Sequence, residues 1–212
     1  MIPTVTLTQN SAARLGEKPP AIFLASASPR RLALLRQIGI EPIVVPTAID
    51  ESRLPQESII DFVHRMALTK AHRLLEMAPL GLPEDRVIAA DTVVVVQDQL
   101  LGKPDGPQQA VAILQQLSGR WHQVMTAVAV CRRDPLLCWQ KLVISHVHIR
   151  PLQPSEIVAY VASGEPLDKA GAYAIQGLAA CFVTRLHGSY SGVVGLPLAE
   201  TSELLLKAAM AS

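Results

Sequence analysis

The ten residues 87–96, Val-Ile-Ala-Ala-Asp-Thr-Val-Val-Val-Val, constrain this chain more than any other stretch. A β-branched run that is apolar at odd and even positions alike suits a strand covered on both faces. The flanking sequence alternates apolar runs with amphipathic patterns, so the cover has to come from helices on either side of a sheet. The expected fold is α/β: a mixed, twisted sheet flanked by helices and folded into two lobes around a cleft. One residue breaks the run. Asp91 puts a carboxylate into the most apolar strand of the chain, which is costly unless the group is paired or bound to metal. It reads either as a strand-end cap or as a functional acid. Thr92, its neighbour, faces the other way if the strand is regular.

The remaining elements follow from periodicity. Residues 21–25 form an apolar strand, and Ser28-Pro29 opens a helix whose Leu32, Leu35 and Ile38 share one face. Residues 43–50 read as a short strand ending in acids. Residues 57–78 read as a long amphipathic helix with Ile59, Val63, Met66, Lys70 and Leu74 along its stripe. Residues 106–119 form a further helix, with Pro107 near its start and Gly119 at its end. Two strands, 121–131 and 138–150, face each other across the polar turn Arg132–Pro135. A helix at 154–164, a strand at 178–186 and a closing helix at 196–210 complete the pattern.

Composition limits the function classes. Half of the 212 residues are hydrophobic and 17% are charged, which suits a folded chain rather than a disordered one. The net charge of +1 provides no global basic field for nucleic acid or membrane surfaces. No apolar run approaches the roughly 20 residues that span a bilayer. Residues 1–20 lack the pattern of a secretory signal and read as a loose, flexible extension ahead of one catalytic domain at 21–212. Cys131, Cys138 and Cys181 are odd in number and have no CxxC spacing, so they are expected as buried, reduced thiols in a cytoplasmic protein.

Several polar residues violate their local pattern. Arg30 and Arg31 sit in the first turn of a helix, where the dipole already places positive charge. With Ser26 and Ser28 beside them, they read either as an exposed helix start or as an anion site. Lys70 is a cation on an apolar stripe, snorkelling or functional. Asp50 and Glu51 close the second strand, Lys103 lies in the turn Leu-Leu-Gly-Lys-Pro, and Asp168 and Lys169 precede a run of small residues that ends at Gln176. His146 and His148 share a strand face but have no third ligand in view. The stretch Gly-Ser-Tyr-Ser-Gly-Val-Val-Gly-Leu-Pro matches neither phosphate-loop pattern and reads as a tight turn. Basic residues gathered with acids suit a triphosphate and a divalent metal.

These motifs occur in a recognisable order. LASASPRRLALL, the IDES acids, LTKA, AADTVVVV, LGKP, LSGRWH, GEPLDKAGAYAIQG and GSYSGVVGLPL together resemble the Maf family of nucleoside triphosphate pyrophosphatases over about residues 21–207. The resemblance implies a fold related to the inosine triphosphate pyrophosphatases. It also implies hydrolysis of a nucleoside triphosphate to monophosphate and pyrophosphate, with a divalent cation (Mg2+ or Mn2+) as cofactor. By the same resemblance Ser26, Ser28, Arg30, Arg31, Lys70, Lys103 and Lys169 would bind substrate phosphates. Glu51 and Asp91 would hold metal, with Asp91 the proton acceptor, and Arg30, Thr92 and Gln176 would tune substrate choice.

The intact AYAIQG segment is similar to the branch acting on dTTP, UTP and modified pyrimidine nucleotides, a house-cleaning role. A neutral amide at Gln176 supplies one donor and one acceptor, which can pair with the N3–H and carbonyl edge of uracil or thymine. The chain departs from the pattern at Ala127 and Gly192, where Gly and Asn are common. The family implies a homodimer. The competing reading is a nucleotide-binding regulator of cell division without catalysis; within enzymes, it is an inosine or xanthosine triphosphate pyrophosphatase.

Overall fold

A computed structural model of the chain describes residues 20–77 and 85–211. The expected flexible extension, residue 20 apart, lies outside the described residues. In chain order the elements are β1 (Ile22–Leu24), α1 (Pro29–Gln37), β2 (Ile43–Val44), α2 (Ile59–Met77), β3 (Arg86–Val96), β4 (Gln99–Leu101) and α3 (Pro107–Leu117). They continue with β5 (Trp121–Arg132), β6 (Leu137–Ile149), α4 (Pro154–Ala162), β7 (Val183–His187), α5 (Tyr190–Val194) and α6 (Leu198–Met210). Three 3-10 turns, Glu165–Asp168, Ala170–Ala172 and Leu178–Phe182, link α4 to β7.

The strands form one mixed sheet in the order β2-β1-β3-β5-β6-β7, with β4 folded back on β3. β1 runs parallel to β2 and β3, and the remaining pairs are antiparallel. β3 is the doubly covered strand its composition demands. Val87, Ala89, Val93 and Val95 pack against Val63, Met66, Ala67 and Leu74 of α2. On the opposite face Ile88 and Ala90 meet Leu34 and Leu35 of α1 and Leu204 of α6. Further along that face Val94 and Val96 join Ile113, Leu114 and Ile157 from α3 and α4. Within β3 only Asp91 and Thr92 are less than fully buried. Each buried valine contributes about 1.5–3 kcal/mol, so the run holds the strand in place despite the polar pair at its centre.

Four expectations need correction. The second strand is only two residues long, because Pro46 carries no N–H to extend the ladder. The expected strand at 178–186 begins only at Val183, since the N–H groups of Leu178 and Ala179 go to the Glu165 carboxylate (2.9 and 3.4 Å) and not to a neighbouring strand. Residues 190–194 form a short helix where a turn was expected; the Ser189 hydroxyl accepts the Gly192 N–H at 3.0 Å. The cysteines are not buried, reduced thiols. Cys131 and Cys138 face each other in the β5–β6 register and form a disulfide, and Cys181 is exposed. Strand register, which sets who faces whom, is invisible in cysteine spacing alone.

One element was not foreseen: β4, which β3 reaches through a two-residue turn, Gln97-Asp98, both at positive φ (49° and 62°). No helix among the described residues is long and apolar enough to cross a membrane.

Candidate active site

A cleft of about 590 Å³ opens where the packed layers meet. Its walls are the start of α1, the middle of β3, three side chains of α2 (Phe62, Met66 and Lys70), the β4–α3 turn, the 3-10 segment and the end of α5. Ser26, Ser28, Arg30, Arg31, Glu51, Lys70, Asp91, Thr92, Lys103, Lys169 and Gln176 all line it. Residues scattered over 150 positions of chain thus share one space. His146 and His148 do not; on β6, the His148 Nδ1 lies 2.6 Å from Thr184 Oγ1. Asp50 is also absent from the lining. Its carboxylate accepts the Ser52 N–H at 2.8 Å, a bond that holds its pKa below the usual value and shapes the loop carrying Glu51.

The acidic side of the cleft is built on β3 and α2. Odd-numbered residues of β3 face α2, so Asp91 points at the helix stripe, and Lys70 is the stripe residue opposite it. Lys70 is 8% exposed, its methylenes enclosed among apolar neighbours. Its Nζ donates to Asp91 Oδ1 at 2.6 Å and lies 2.7 Å from Glu51 Oε1. Burial works against the Glu51 carboxylate, but the Lys70 hydrogen bond and the charges of Lys70, Lys103 and Arg31 outweigh it, holding its pKa down. Two carboxylates therefore converge on one cationic centre. Hard oxygen donors placed in this way suit a divalent cation such as Mg2+ or Mn2+.

The opposite wall belongs to α1. Pro29 has no N–H and the Ser28 N–H is engaged by Ser26 Oγ at 3.1 Å, whereas the Ser28 side chain makes no cap bond. The two adjacent arginines have different tasks. Arg31 is enclosed and donates to Gly195 O (2.8 Å), Ser26 Oγ (3.2 Å) and Thr92 Oγ1 (3.2 Å), bolting α1 to β3 and to the end of α5. Burial lowers its pKa, and Asp91 offsets part of that effect. Arg30 projects across the cleft mouth toward Asp168, 3.4 Å away, with its side chain 27% exposed. Such loose pairs contribute little to stability, which leaves Arg30 available to a ligand. Lys103 is exposed on the β4–α3 turn.

The third wall is the segment 165–179. Gly171 has φ +71°, and a Cβ there would lie 2.8 Å from Val94; its N–H reaches Gly102 O at 3.1 Å, tying this wall to the Lys103 turn. Lys169 Nζ donates to Glu165 O at 2.7 Å and to Asp168 Oδ1 at 2.5 Å. Burial raises the Asp168 pKa, but Lys169 and Arg30 more than compensate and hold it low. Gln176 sits exposed at the tip of the loop. Beneath it Tyr173 OH meets His122 Nε2 at 2.8 Å, and Tyr160 OH donates to Glu165 Oε1 at 2.8 Å.

Sequence reasoning passed over the residues that hold the walls together. Thr126 is fully buried; its hydroxyl donates to Gly192 O at 2.8 Å and lies 3.0 Å from Thr92 Oγ1, from which it accepts, completing the net around Arg31. Its signal was a hydroxyl within an apolar strand. Glu165 and His122 gave a weaker one, a charged or titratable residue beside an apolar run.

The sequence profile of the Maf-like protein family matches residues 21–208. A protein named dTTP/UTP pyrophosphatase from Pectobacterium atrosepticum is 51% identical over 183 residues, covering 86% of this chain and 90% of that protein. Proteins of the same name from Escherichia coli O157:H7 and Yersinia pestis are each 49% identical, covering 87% of this chain and 91% of their own length.

Proposed function

The chain belongs to the Maf-like family, and on that premise we propose that it is a dTTP/UTP pyrophosphatase, hydrolysing the triphosphate to monophosphate and pyrophosphate. The convergence of Asp91 and Glu51 on Lys70, facing Arg30 and Lys103 across one cleft, carries this reading. Binding alone could use the acids to hold a metal ion, but it has no use for a carboxylate placed to accept a proton beside the phosphate-binding cations.

In this reading Arg30, Lys103 and Lys169 grip the triphosphate, helped by the first-turn N–H groups of α1 and the hydroxyl of Ser28. Arg31, spent on Gly195, Ser26 and Thr92, acts chiefly by holding that helix end in place. Glu51 and Asp91 would hold a divalent cation, which when bound neutralises phosphate charge and makes a coordinated water more acidic. Asp91 orients the attacking water and accepts its proton as the water adds in line to the α-phosphorus. Lys70 fixes the angle of both carboxylates. Charge building on the departing pyrophosphate is met by Arg30 and Lys103. Gln176, at the loop tip, pairs with the pyrimidine edge through its amide, and Thr92 limits the room beside it. The same reading places the enzyme in the cytoplasm as a homodimer.

The test is pyrophosphate release with Mg2+ or Mn2+ from dTTP, UTP, CTP, 7-methyl-GTP and ITP. Release from dTTP and UTP, abolished by Asp91→Asn, is the expected result. Binding without release across the panel would favour the regulator, and preference for ITP would favour the deaminated-purine reading.

A further inference from the structure

We propose that His72, Cys131 and Cys138 form a zinc-type metal site, separate from the cleft, that the Cys131–Cys138 disulfide closes. The three residues come from three elements: His72 from α2, Cys131 from β5 and Cys138 from β6. Their ligand atoms all lie within 4.8 Å of one another, the only such trio among the described residues. None of them lines the substrate cleft.

Three observations support a ligand set over a plain cross-strand disulfide. A disulfide needs no third group, yet the imidazole Nε2 of His72 stands 3.5 Å from Cys138 Sγ. Tetrahedral zinc with bonds of about 2.3 Å to sulfur and about 2.0 Å to nitrogen puts those atoms about 3.5 Å apart. The spacing suits two ligands on one ion. The donor types agree as well, because two thiolates and an imidazole favour zinc over the hard cations suited to the carboxylates of the cleft. Finally, Cys131 is fully buried in the core formed with α2, so a metal held there is shielded on one side, and three protein ligands leave a fourth position for water.

Closed disulfide and bound metal exclude each other. Starting from the metal-bound thiolates, a small-molecule disulfide R–S–S–R accepts the electron pair. The protein S–S bond forms as the R–S–S–R bond breaks, the two sulfurs of the protein lose two electrons, the ion departs, and two R–S⁻ leave to be protonated by solvent. In a reducing compartment the thiols, and hence the metal-binding state, are favoured.

The test uses the full chain with Cys181→Ser, reduced and then freed of reductant, and titrated with Co2+ alone. The expected result is one equivalent of cobalt giving the sulfur-to-cobalt charge-transfer band and the intense visible absorption of tetrahedral cobalt, with Zn2+ displacing it. A cobalt ion on the carboxylates of Asp91 and Glu51 gives no sulfur band, so the band should persist in Asp91→Asn. Cys138→Ser should abolish it. His72→Gln should weaken binding by more than about tenfold, since losing even an outer partner of a ligand costs roughly 10–100-fold. Circular dichroism checks that both variants fold. Absence of the band in the reduced Cys181→Ser protein overturns the proposal. So does an equal band in disulfide-closed protein, or unchanged affinity in folded His72→Gln.

Discussion

The ammonium of Lys70 lies 2.6 Å from Oδ1 of Asp91, with the two side chains only 10% and 13% exposed. This pair explains how an acid persists at the centre of the most apolar strand. Its cost is met by a cation delivered from the facing helix, and Glu51 closes the other side of that cation at 2.7 Å. Two anionic groups held around one lysine are oriented before any substrate arrives.

Replacing Asp91 by Asn keeps the size of the side chain and removes its basicity. Turnover is expected to fall by roughly 10²–10⁴-fold, the usual range for a lost general base; the fold and nucleotide binding are retained, with some loss of thermal stability because the buried Lys70 ammonium keeps only Glu51 as an anionic partner. Pyrophosphate release and calorimetric titration on the same preparation check this; full activity would remove Asp91 from the chemistry.

Lys70→Met leaves Asp91 and Glu51 without their shared cation. Breaking a buried pair costs about 3–5 kcal/mol; with Glu51 half exposed, solvent screening reduces the expected loss here to about 2–3 kcal/mol. Denaturant unfolding measures it. Added Mn2+ should recover part of the loss by binding the orphaned carboxylates, and no recovery would argue against a cation site at this pair.

The two arginines should separate cleanly. Arg31→Lys cannot reproduce a planar fork on Gly195, Ser26 and Thr92 and is expected to cost about 1–3 kcal/mol of stability. Arg30→Lys should leave stability within about 0.5 kcal/mol and raise KM instead. Equal stability losses in both would show that Arg31 has no special structural task.

Gln176→Glu should erode discrimination for UTP and dTTP, because the carboxylate has no donor to offer a base carbonyl. Gly177→Ala probes the same loop from below: its Cβ would fall 2.3 Å from Glu165 Oε2. The added methyl should displace the loop and lower kcat/KM for all pyrimidines while leaving Arg30 and Lys103 in place. A substrate profile unchanged in both variants would take this loop out of base selection.

His122 is buried, and burial lowers its pKa to about 4 from an ordinary 6.5. Its neutral form is the one the fold accepts. Above pH 6.5 neither folded nor unfolded state binds the proton; as pH falls from about 6.5 to about 4, only the unfolded state gains it and stability drops. The loss integrates to roughly 3 kcal/mol. Comparing unfolding at pH 7 and pH 4.5 with that of His122→Gln tests this: the variant should lose less over the same interval.

The apolar run at 87–96 was enough to forecast the central strand, because burial on both faces leaves no room for alternation. The long helix was equally clear from Val63, Met66 and Leu74, and the Ser28–Pro29 start from local backbone preference. Asp91, Lys70 and the arginine pair stood out because each contradicts the pattern around it. The division of labour between Arg30 and Arg31 could not be read in this way. Neighbours in sequence on one helix turn point in different directions, and only the position of Gly195, 164 residues away, determines which of them is tied down.

The same holds for the residues left unnoticed. Glu165 turns an apolar run into a 3-10 turn by taking the N–H groups of Leu178 and Ala179, and Cys138 meets Cys131 only through strand register. Sequence by itself determined the elements and the chemical inventory of this protein, since hydrophobic periodicity, caps and misplaced charges act over a few residues. Which groups face one another was decided by tertiary structure, because hydrogen bonds and ion pairs act over about 3 Å and their partners are brought to that distance only when the sheet and its helices pack.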